Sequence, residues 1–283
     1  MLVTLSEILR DANERHYAVG AFNCLSVENV IGAIEAAEQL RSPIIIQLAE
    51  VQFPEAPMEL MAPLFLQAAR RSSVPVCVHL DHGQSVDTCR RAIQLGFTSV
   101  MFDGAALPFE DNVAVTREVT DMAKAAGVDV EAELGKVGDS GVDTADVFTD
   151  VEESVRFVQA TGIDALAIAI GNLHGHYVHT PQLNIQRLIE IHEANRLPLV
   201  LHGGSGTSVD DFKACIHNGI CKINVATAIQ RGIMQRITER LSQHPDEGYI
   251  PLKQVMIDAS REVVAEHIQL FESNNKVVKN LSS

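Results

Sequence analysis

The chain has 283 residues, of which 46% are hydrophobic and 21% are charged, as in ordinary folded globular proteins. Its formal net charge of -15 at pH 7 disfavours nucleic acid and anionic membrane surfaces as partners. The N-terminus lacks the layout of a signal peptide, no apolar run approaches the ~20 residues of a membrane span, and the five cysteines include no C-x-x-C pair, so we expect a cytoplasmic protein.

Short apolar runs rich in β-branched residues alternate along the chain with longer segments of helical period. Near-continuous apolar runs are typical of parallel strands that are buried on both faces. The predicted strands are 17–24, 43–48, 75–80, 99–102, 128–134, 165–170, 198–201 and 222–225. The predicted helices are 26–40, 58–71, 86–95, 109–126, 151–161, 183–194, 209–218 and 227–241. Ser26, Ser85 and Ser208 stand where N-caps are expected.

Eight strand-then-helix units predict a closed barrel. We therefore expect a single-domain α/β fold over residues 1–283, a (β/α)8 TIM barrel with an additional C-terminal helix at 252–271. The alternative is an open doubly wound sheet, but a dinucleotide-binding sheet should show G-x-G-x-x-G after its first strand, and this chain has A-F-N-C there. The irregular stretch 135–150 predicts a mobile loop after the fifth strand.

Three of the predicted strands end at or near a histidine. These are His82, His174 and His202. The C-terminal strand ends of a barrel meet at one rim, and neutral imidazole is a common zinc ligand in open catalytic sites, so together they predict a metal site. A single histidine would more often be a hydrogen-bonded structural residue. We expect His79 to point away from the rim because it alternates with Asp81, whereas His176 stays a candidate.

Two acids project from neighbouring strand ends, Glu133 and Asp103. They can bind a second metal position, or they can accept a hydrogen bond that orients a metal-binding histidine. The plainer alternative is a pair of polar groups inside the barrel mouth.

The segment H-G-G-S-G at 202–206 ends the seventh strand shortly before a predicted helix. Backbone N–H groups of Gly203, Gly204 and Ser205 can form an anion nest there. The segment N-V-A-T at 224–227 follows the eighth strand, where barrels commonly bind phosphate. Either segment alone could be a simple turn, but together they predict a phosphate site.

Five segments carry a resemblance to a known family. They are H-L-D-H-G at 79–83, E-A-E-L-G at 131–135, A-I-A-I-G-N-L-H-G at 167–175, L-H-G-G-S-G at 201–206 and K-I-N-V-A-T at 222–227. With A-F-N at 21–23, they resemble the class II fructose-bisphosphate and tagatose-bisphosphate aldolases, in the family's order and over nearly the whole chain.

The resemblance implies a role for each matching position. It implies Zn²⁺ bound by His82, His174 and His202, a second metal position at Glu133 and Asp103, and Asp81 as proton donor or acceptor. The implied dihydroxyacetone phosphate contacts are Gly175, Gly203, Gly204, Ser205, Asn224, Val225, Ala226 and Thr227, and Asn23 is a further expected substrate-binding residue. A monovalent cation and a homodimer or homotetramer are further expectations from the family.

The sequence departs from the family in its loop and in its aldehyde half. After E-L-G the family usually has G-G-x-E-D, with a glutamate that exchanges a proton, whereas this chain has G-K-V-G-D-S-G-V-D with Gly141 near that position. Asp139 or Asp143 can substitute, and we favour Asp139. Arg261 is matched to a terminal-helix arginine that binds a distal phosphate, and Asn172-Leu173 replaces the usual T-A. The distal group can therefore also be a carboxylate or a sulfonate.

The expected activity is a metal-dependent, reversible cleavage of a ketose 1-phosphate into dihydroxyacetone phosphate and an aldehyde. One alternative is a Schiff-base aldolase, which needs a desolvated lysine inside the barrel. Lys222 is expected at the wrong end of the eighth strand for this, and Lys136 lies in a loop. Another alternative is a non-catalytic sugar-phosphate-binding barrel, which would not need Asp81.

Overall fold

The computed structural model describes residues 1–135, 148–172, 182–204 and 207–277, and the backbone of two short strands at 138–139 and 173–174. The strands are β1 (Leu2–Val3), β2 (Val19–Asn23), β3 (Ile44–Ala49), β4 (Val76–Gly83), β5 (Ser99–Phe102), β6 (Asp129–Leu134), β7 (Gly138–Asp139), β8 (Ala165–Ile168), β9 (Leu173–His174), β10 (Leu199–Leu201) and β11 (Ile220–Val225). The helices are α1 (Leu5–Arg15), α2 (Val27–Leu40), α3 (Met58–Arg71), α4 (Val86–Leu95), α5 (Phe109–Ala125), α6 (Val151–Thr161), α7 (Ile185–Asn195), α8 (Val209–His217), α9 (Thr227–Gln243) and α10 (Tyr249–Leu270).

Within these residues, eight parallel strands close into a barrel in the order β2, β3, β4, β5, β6, β8, β10 and β11. The closing pair is β11 with β2, where Lys222 lies opposite Val19 and Val225 lies opposite Phe22. Closure excludes the open doubly wound sheet and confirms the predicted TIM barrel. Every predicted strand and helix is present, with bounds that differ by at most three residues. The three expected N-cap serines accept hydrogen bonds from backbone N–H groups of their own helices.

The N-terminal helix α1 was not predicted. Thr4 and Glu7 form a capping box at its start, and its apolar face of Leu5, Ile8 and Leu9 is buried. This face packs against the barrel interior, in a cluster that includes Ile45, Cys77 and Met101. The helix therefore closes the N-terminal end of the barrel and leaves only the opposite end for a site.

The predicted C-terminal helix is confirmed as α10, which lies against α2. A Cβ atom at Gly32 of α2 would lie 2.5 Å from the carbonyl oxygen of Ile257, so only glycine permits this close approach of the two helices. All five cysteines are buried and free. None of the helices in the described part of the chain has the length and apolar character needed to cross a membrane. The predicted loop at 135–150 lies mostly outside the described residues.

Candidate active site

Polar side chains from six barrel strands meet at the C-terminal rim. They are Asn23, Asp81, His82, Asp103, Glu133, His202 and Asn224, each at or directly after the end of its strand. Hydrogen bonds and polar contacts of up to 3.8 Å connect all of them. The structure thus brings together these seven residues, all of which the sequence had indicated as candidates.

Asp81 and His82 are consecutive, and successive strand residues normally point to opposite faces. Here the pairing of β4 with β5 shifts register between Leu80 and Gly83, and His82 has a left-handed backbone with φ of 45°. The irregularity turns both side chains into the mouth, where His82 Nε2 lies 3.8 Å from Asp81 Oδ1. A left-handed conformation is costly for histidine, and such strain is concentrated at functional sites.

The two described rim histidines face each other through single nitrogen atoms. His82 donates its Nδ1–H to Asp103 Oδ2 at 2.8 Å, and His202 donates its Nε2–H to Glu131 Oε1 at 2.8 Å. The other ring nitrogens, His82 Nε2 and His202 Nδ1, hydrogen-bond to each other at 3.0 Å. Since each imidazole has one nitrogen committed to a carboxylate, both remaining nitrogens are directed at the same point. This is how carboxylates orient metal-binding histidines.

Carboxylates surround this pair. Burial lowers the pKa of His82, but Asp81, Asp103 and Glu133 outweigh that effect and raise the pKa to about 10. Burial raises the pKa of Asp103, and the contact with His82 outweighs it and holds the pKa below its usual value. Excess negative charge around two converging imidazole nitrogens favours a cation at this position.

The ligand atoms are close enough for one ion to contact several of them. Suitable atoms of Asp81, His82 and His202 lie within 4.8 Å of one another, and so do those of His82, Asp103 and Glu133. Glu133 Oε2 is 3.7 Å from His202 Nδ1, the nitrogen that faces His82 Nε2. Nitrogen and carboxylate donors in this arrangement fit zinc and other divalent cations.

The Asp81 carboxylate is fixed by two amides. Asn224 Nδ2 donates to Oδ1 at 2.9 Å, and Asn23 Nδ2 donates to Oδ2 at 3.0 Å. Asn23 in turn accepts a hydrogen bond from Gln47 at 2.9 Å. Burial raises the pKa of Asp81, but His82 and His202 outweigh it and hold the pKa below its usual value, so the group is an ionised, oriented base.

The expected phosphate segments lie beside the metal candidates. Gly203, which follows His202 directly, has a positive φ of 66° that favours glycine. Helix α9 begins at Thr227, and none of the described side chains caps its N-terminus. The uncapped N–H groups there are available to an anion, whereas Ser208 already caps α8. Ser205 and Gly175 lie outside the described residues.

Asp139 and His174 are brought onto neighbouring strands. Strands β7 and β9 pair in parallel, with the two residues opposite each other in the register. The side chains of both, and His176, Asp143 and Lys136 as a whole, lie outside the described residues.

The expectation for His79 was wrong. Residues two apart on a strand share a face, so His79 points into the barrel on the same side as Asp81. It is fully buried one layer below the rim, its Nδ1 is 2.8 Å from Ser99 Oγ, and its Nε2 is 3.7 Å from Glu131 Oε2. Burial and the nearby Lys222 ammonium lower the pKa of His79 well below its usual value, so the ring is neutral.

The expectation for Lys222 also needs correction. Its Cα does lie near the start of β11, but its long side chain reaches up inside the barrel. The ammonium is 2.9 Å from Glu131 Oε2 and donates to Asn224 Oδ1 at 2.6 Å. The Schiff-base route is therefore disfavoured because the lysine is held as a partner of a carboxylate, rather than because it lies far from the site.

Arg261 lies in the outer layer, where it contacts Glu35 at 3.0 Å and Asp258 at 2.5 Å.

Glu131 was not predicted as a site residue, although its spacing of two residues from Glu133 places both side chains on the interior face of β6. Asn172 is also buried, and its amide donates to the backbone of His202 at 2.9 Å. It braces the end of β10.

Comparison with known proteins gives a consistent result over nearly the whole chain. The family model described as fructose-bisphosphate aldolase class-II matches residues 3–276. A probable fructose-bisphosphate aldolase of Bacillus subtilis is 40% identical, with 97% of this chain and 99% of that protein covered. A sulfofructosephosphate aldolase of Alkalicoccus urumqiensis is 39% identical, with 95% and 96% covered. The crystal structure of the YdjI aldolase from Escherichia coli K12 superimposes with a TM-score of 0.90 at 35% identity, covering 98% of this chain and all of that one.

Proposed function

The chain belongs to the class II fructose-bisphosphate aldolase family, and from this premise we propose that it is a divalent-metal-dependent aldolase. It reversibly cleaves a ketose 1-phosphate into dihydroxyacetone phosphate and an aldehyde. The observation that carries the proposal is the 3.0 Å approach of His82 Nε2 and His202 Nδ1 beside the doubly hydrogen-bonded Asp81.

The metal is proposed to be Zn²⁺, held by His82 and His202 with His174 as the third ligand. When bound, a divalent cation supplies a Lewis acid that polarises the ketose carbonyl and balances developing negative charge. Glu133 faces the same point and is the candidate for a second metal position. Asp103 is proposed chiefly as the acceptor that orients His82, because it already takes the Nδ1 proton of that ring.

The proton transfers are assigned to carboxylates of the chain. In the cleavage direction, the ionised Asp81 accepts the proton of the C4 hydroxyl as the C3–C4 bond breaks, and the C4–O bond becomes a carbonyl. The electron pair of the broken bond passes to the dihydroxyacetone phosphate half as an enediolate. Asp139 is proposed to deliver the proton to C3, and both transfers reverse in condensation.

The phosphate of the dihydroxyacetone half is proposed to lie between the ends of β10 and β11. Gly175, Gly203, Gly204, Ser205, Asn224, Val225, Ala226 and Thr227 supply the contacts. Support comes from the positive φ of Gly203 and from the uncapped N-terminus of α9. Asn23 and Asn224 orient Asp81 against the substrate.

The distal end of the substrate is proposed to be anionic. Two relatives that are 40% and 39% identical to this chain are named after different substrates. The distal anion is a phosphate in one substrate and a sulfonate in the other. Arg261 remains the proposed residue for that end, although Glu35 and Asp258 already contact its guanidinium. We also propose one aldolase domain over residues 1–283, a homodimeric or homotetrameric assembly and a monovalent cation as a further ligand.

The test measures release of dihydroxyacetone phosphate from a panel of ketose 1-phosphates whose distal group is phosphate, sulfonate, carboxylate or hydroxyl. We expect at least one anionic member to be cleaved faster than the neutral one. Absence of cleavage of every member by the metal-loaded protein would contradict the proposal. Borohydride added with a cleaved member should leave the protein unmodified, whereas a trapped adduct would instead support the Schiff-base route.

A further inference from the structure

Two layers of polar residues are stacked inside the barrel. On β4, β6 and β11, the upper layer at the rim is Asp81, Glu133 and Asn224. The lower layer, two residues earlier on each strand, is His79, Glu131 and Lys222. All three lower side chains have no solvent exposure, and apolar residues occupy the interior below them. The lower layer is thus a buried ionic group that the proposed chemistry does not use directly.

The Lys222 ammonium contacts one residue of the lower layer, Glu131, and one residue of the upper layer, Asn224. It lies 2.9 Å from Glu131 Oε2 and 3.2 Å from Glu131 Oε1, and it donates to Asn224 Oδ1 at 2.6 Å. Glu131 accepts from His202, a candidate metal ligand, and Asn224 donates to Asp81, the candidate base. One cation therefore contacts the supports of both functional groups.

Each contact of Lys222 fixes an orientation that would otherwise be ambiguous. An ammonium is only a donor, so Asn224 must present its oxygen to Lys222, and its NH₂ group then faces Asp81. A flipped amide would set NH₂ against the ammonium and an oxygen against the carboxylate. The 2.9 Å bond from Asn224 to Asp81 depends on this arrangement.

The contact of Lys222 with Glu131 fixes the orientation of a candidate metal ligand, His202, in the same way. An ionised carboxylate is only an acceptor, so His202 must carry its proton on Nε2, and Nδ1 is left to face His82. Asn224 Nδ2 is 3.3 Å from His202 Nε2, but it is itself a donor, so Glu131 Oε1 is the group that accepts the Nε2 proton. Lys222 supplies the countercharge beside Glu131, and both side chains are fully buried.

Fold stability alone does not account for the pair, because replacing a buried ion pair by apolar side chains is often neutral or stabilising. We infer that Lys222 is a positioning residue that sets the tautomer of His202 through Glu131 and the direction of Asp81 through Asn224. This role rests on the proposed function. It makes one buried ammonium responsible for both metal affinity and the rate of the proton transfer.

The variant Lys222→Met tests separately the effect on the metal site, through Glu131, and the effect on Asp81, through Asn224. Zn²⁺ affinity of the metal-free protein, measured by competition with a chelator, should fall about 10–100-fold, as when other supports of metal ligands are removed. With metal at saturation, kcat should also fall by at least about 10-fold while KM changes little, because Asp81 is misdirected while the proposed phosphate contacts of Gly203, Gly204 and Thr227 remain.

The double variant Lys222→Met/Glu131→Gln separates positioning from stability. It removes both charges, so thermal stability should return toward that of the unmodified protein and folding should be preserved. Its glutamine side chain can donate or accept, so metal affinity and kcat should stay low. Recovery of both together with stability would show that the pair is only structural and would overturn the inference.

The Lys253–Glu28 pair between α10 and α2 provides a matched control. Lys253→Met removes an ammonium from a largely buried glutamate away from the site, and it should leave metal affinity and kcat unchanged. If the unmodified protein is active and Lys222→Met keeps both values, the positioning role is wrong while the proposed function stands. If the unmodified protein neither binds divalent metal nor cleaves any ketose 1-phosphate, the proposed function fails and the inference fails with it.

Discussion

His82 Nε2 and His202 Nδ1 face each other at 3.0 Å, each on a ring whose other nitrogen donates to a carboxylate. Two histidines with purely structural roles would have no reason to direct both of these nitrogens at one point beside three carboxylates. The acids that fix them come from different strands, Asp103 after β5 and Glu131 on β6. The barrel thus assembles a metal-binding pair from residues far apart in sequence.

Asp103→Ala removes the acceptor for His82 Nδ1–H. The ring is then free to rotate or change tautomer, so we expect Zn²⁺ affinity to fall about 10–100-fold. Chelator competition measures this value. Asp111→Ala, an exposed acid in the first turn of α5, is the matched control and should leave affinity unchanged. Equal affinity in Asp103→Ala and in the unmodified protein would remove Asp103 from the support of the site.

Asp81→Ala should leave binding of dihydroxyacetone phosphate measurable but lower kcat at least ~100-fold, the usual size of a general acid–base contribution. Calorimetry measures binding, and a coupled assay measures turnover. Asp87→Ala, with its carboxylate 77% exposed on α4, controls for the loss of one acid nearby in sequence and should retain full turnover. Near-normal turnover of Asp81→Ala would refute its role as the base.

The functional strand ends could be predicted because a parallel barrel brings the C-terminal ends of all strands to one rim. Position along each strand was therefore enough to group His82, Asp103 and His202. The direction of each side chain was harder to predict. Period-two alternation would have placed His79 correctly, but it gives no sign of the register shift and left-handed backbone that turn His82 inward.

Other features depend on contacts that strand position does not specify. The reach of Lys222 to Asn224 follows from the length of a lysine side chain, which a Cα position does not convey. Helix α1 did carry a local signal, the capping box of Thr4 and Glu7 before apolar residues at helical spacing. Its role in closing the barrel, however, arises only from packing against strands far along the chain.

Leu9→Ala tests that role of α1. Leu9 is fully buried against the barrel interior, so its truncation should lower the free energy of unfolding by about 2–5 kcal/mol. Denaturant titration gives this value. Leu60→Ala, at a leucine that is 72% exposed on α3, should change it by no more than about 0.5 kcal/mol. A similar small change for both variants would mean that α1 does not close the barrel.

Stability should fall with acid partly because of His267. Burial lowers the pKa of His267, whose ring packs near Phe22 and Phe271. Below about pH 6.5 the unfolded chain binds a proton that the folded chain resists, so stability falls as pH decreases, by up to about 1.4 kcal/mol per pH unit for one residue.

Urea titrations between pH 7 and pH 5 measure this dependence. His267→Gln should have a shallower loss of stability over that range than the unmodified protein, whatever its stability at pH 7. His244→Gln, at an exposed histidine, should keep the original slope. An unchanged slope in His267→Gln would show that this ring does not contribute.

Metal removal tests the central claim most directly. The protein is stripped of divalent ions by exhaustive chelation, and release of dihydroxyacetone phosphate from its best ketose 1-phosphate is measured before and after Zn²⁺ is restored. We predict that cleavage is lost on removal and recovers when about one equivalent of metal is added. Cleavage that continues at the same rate in the metal-free protein would contradict the account.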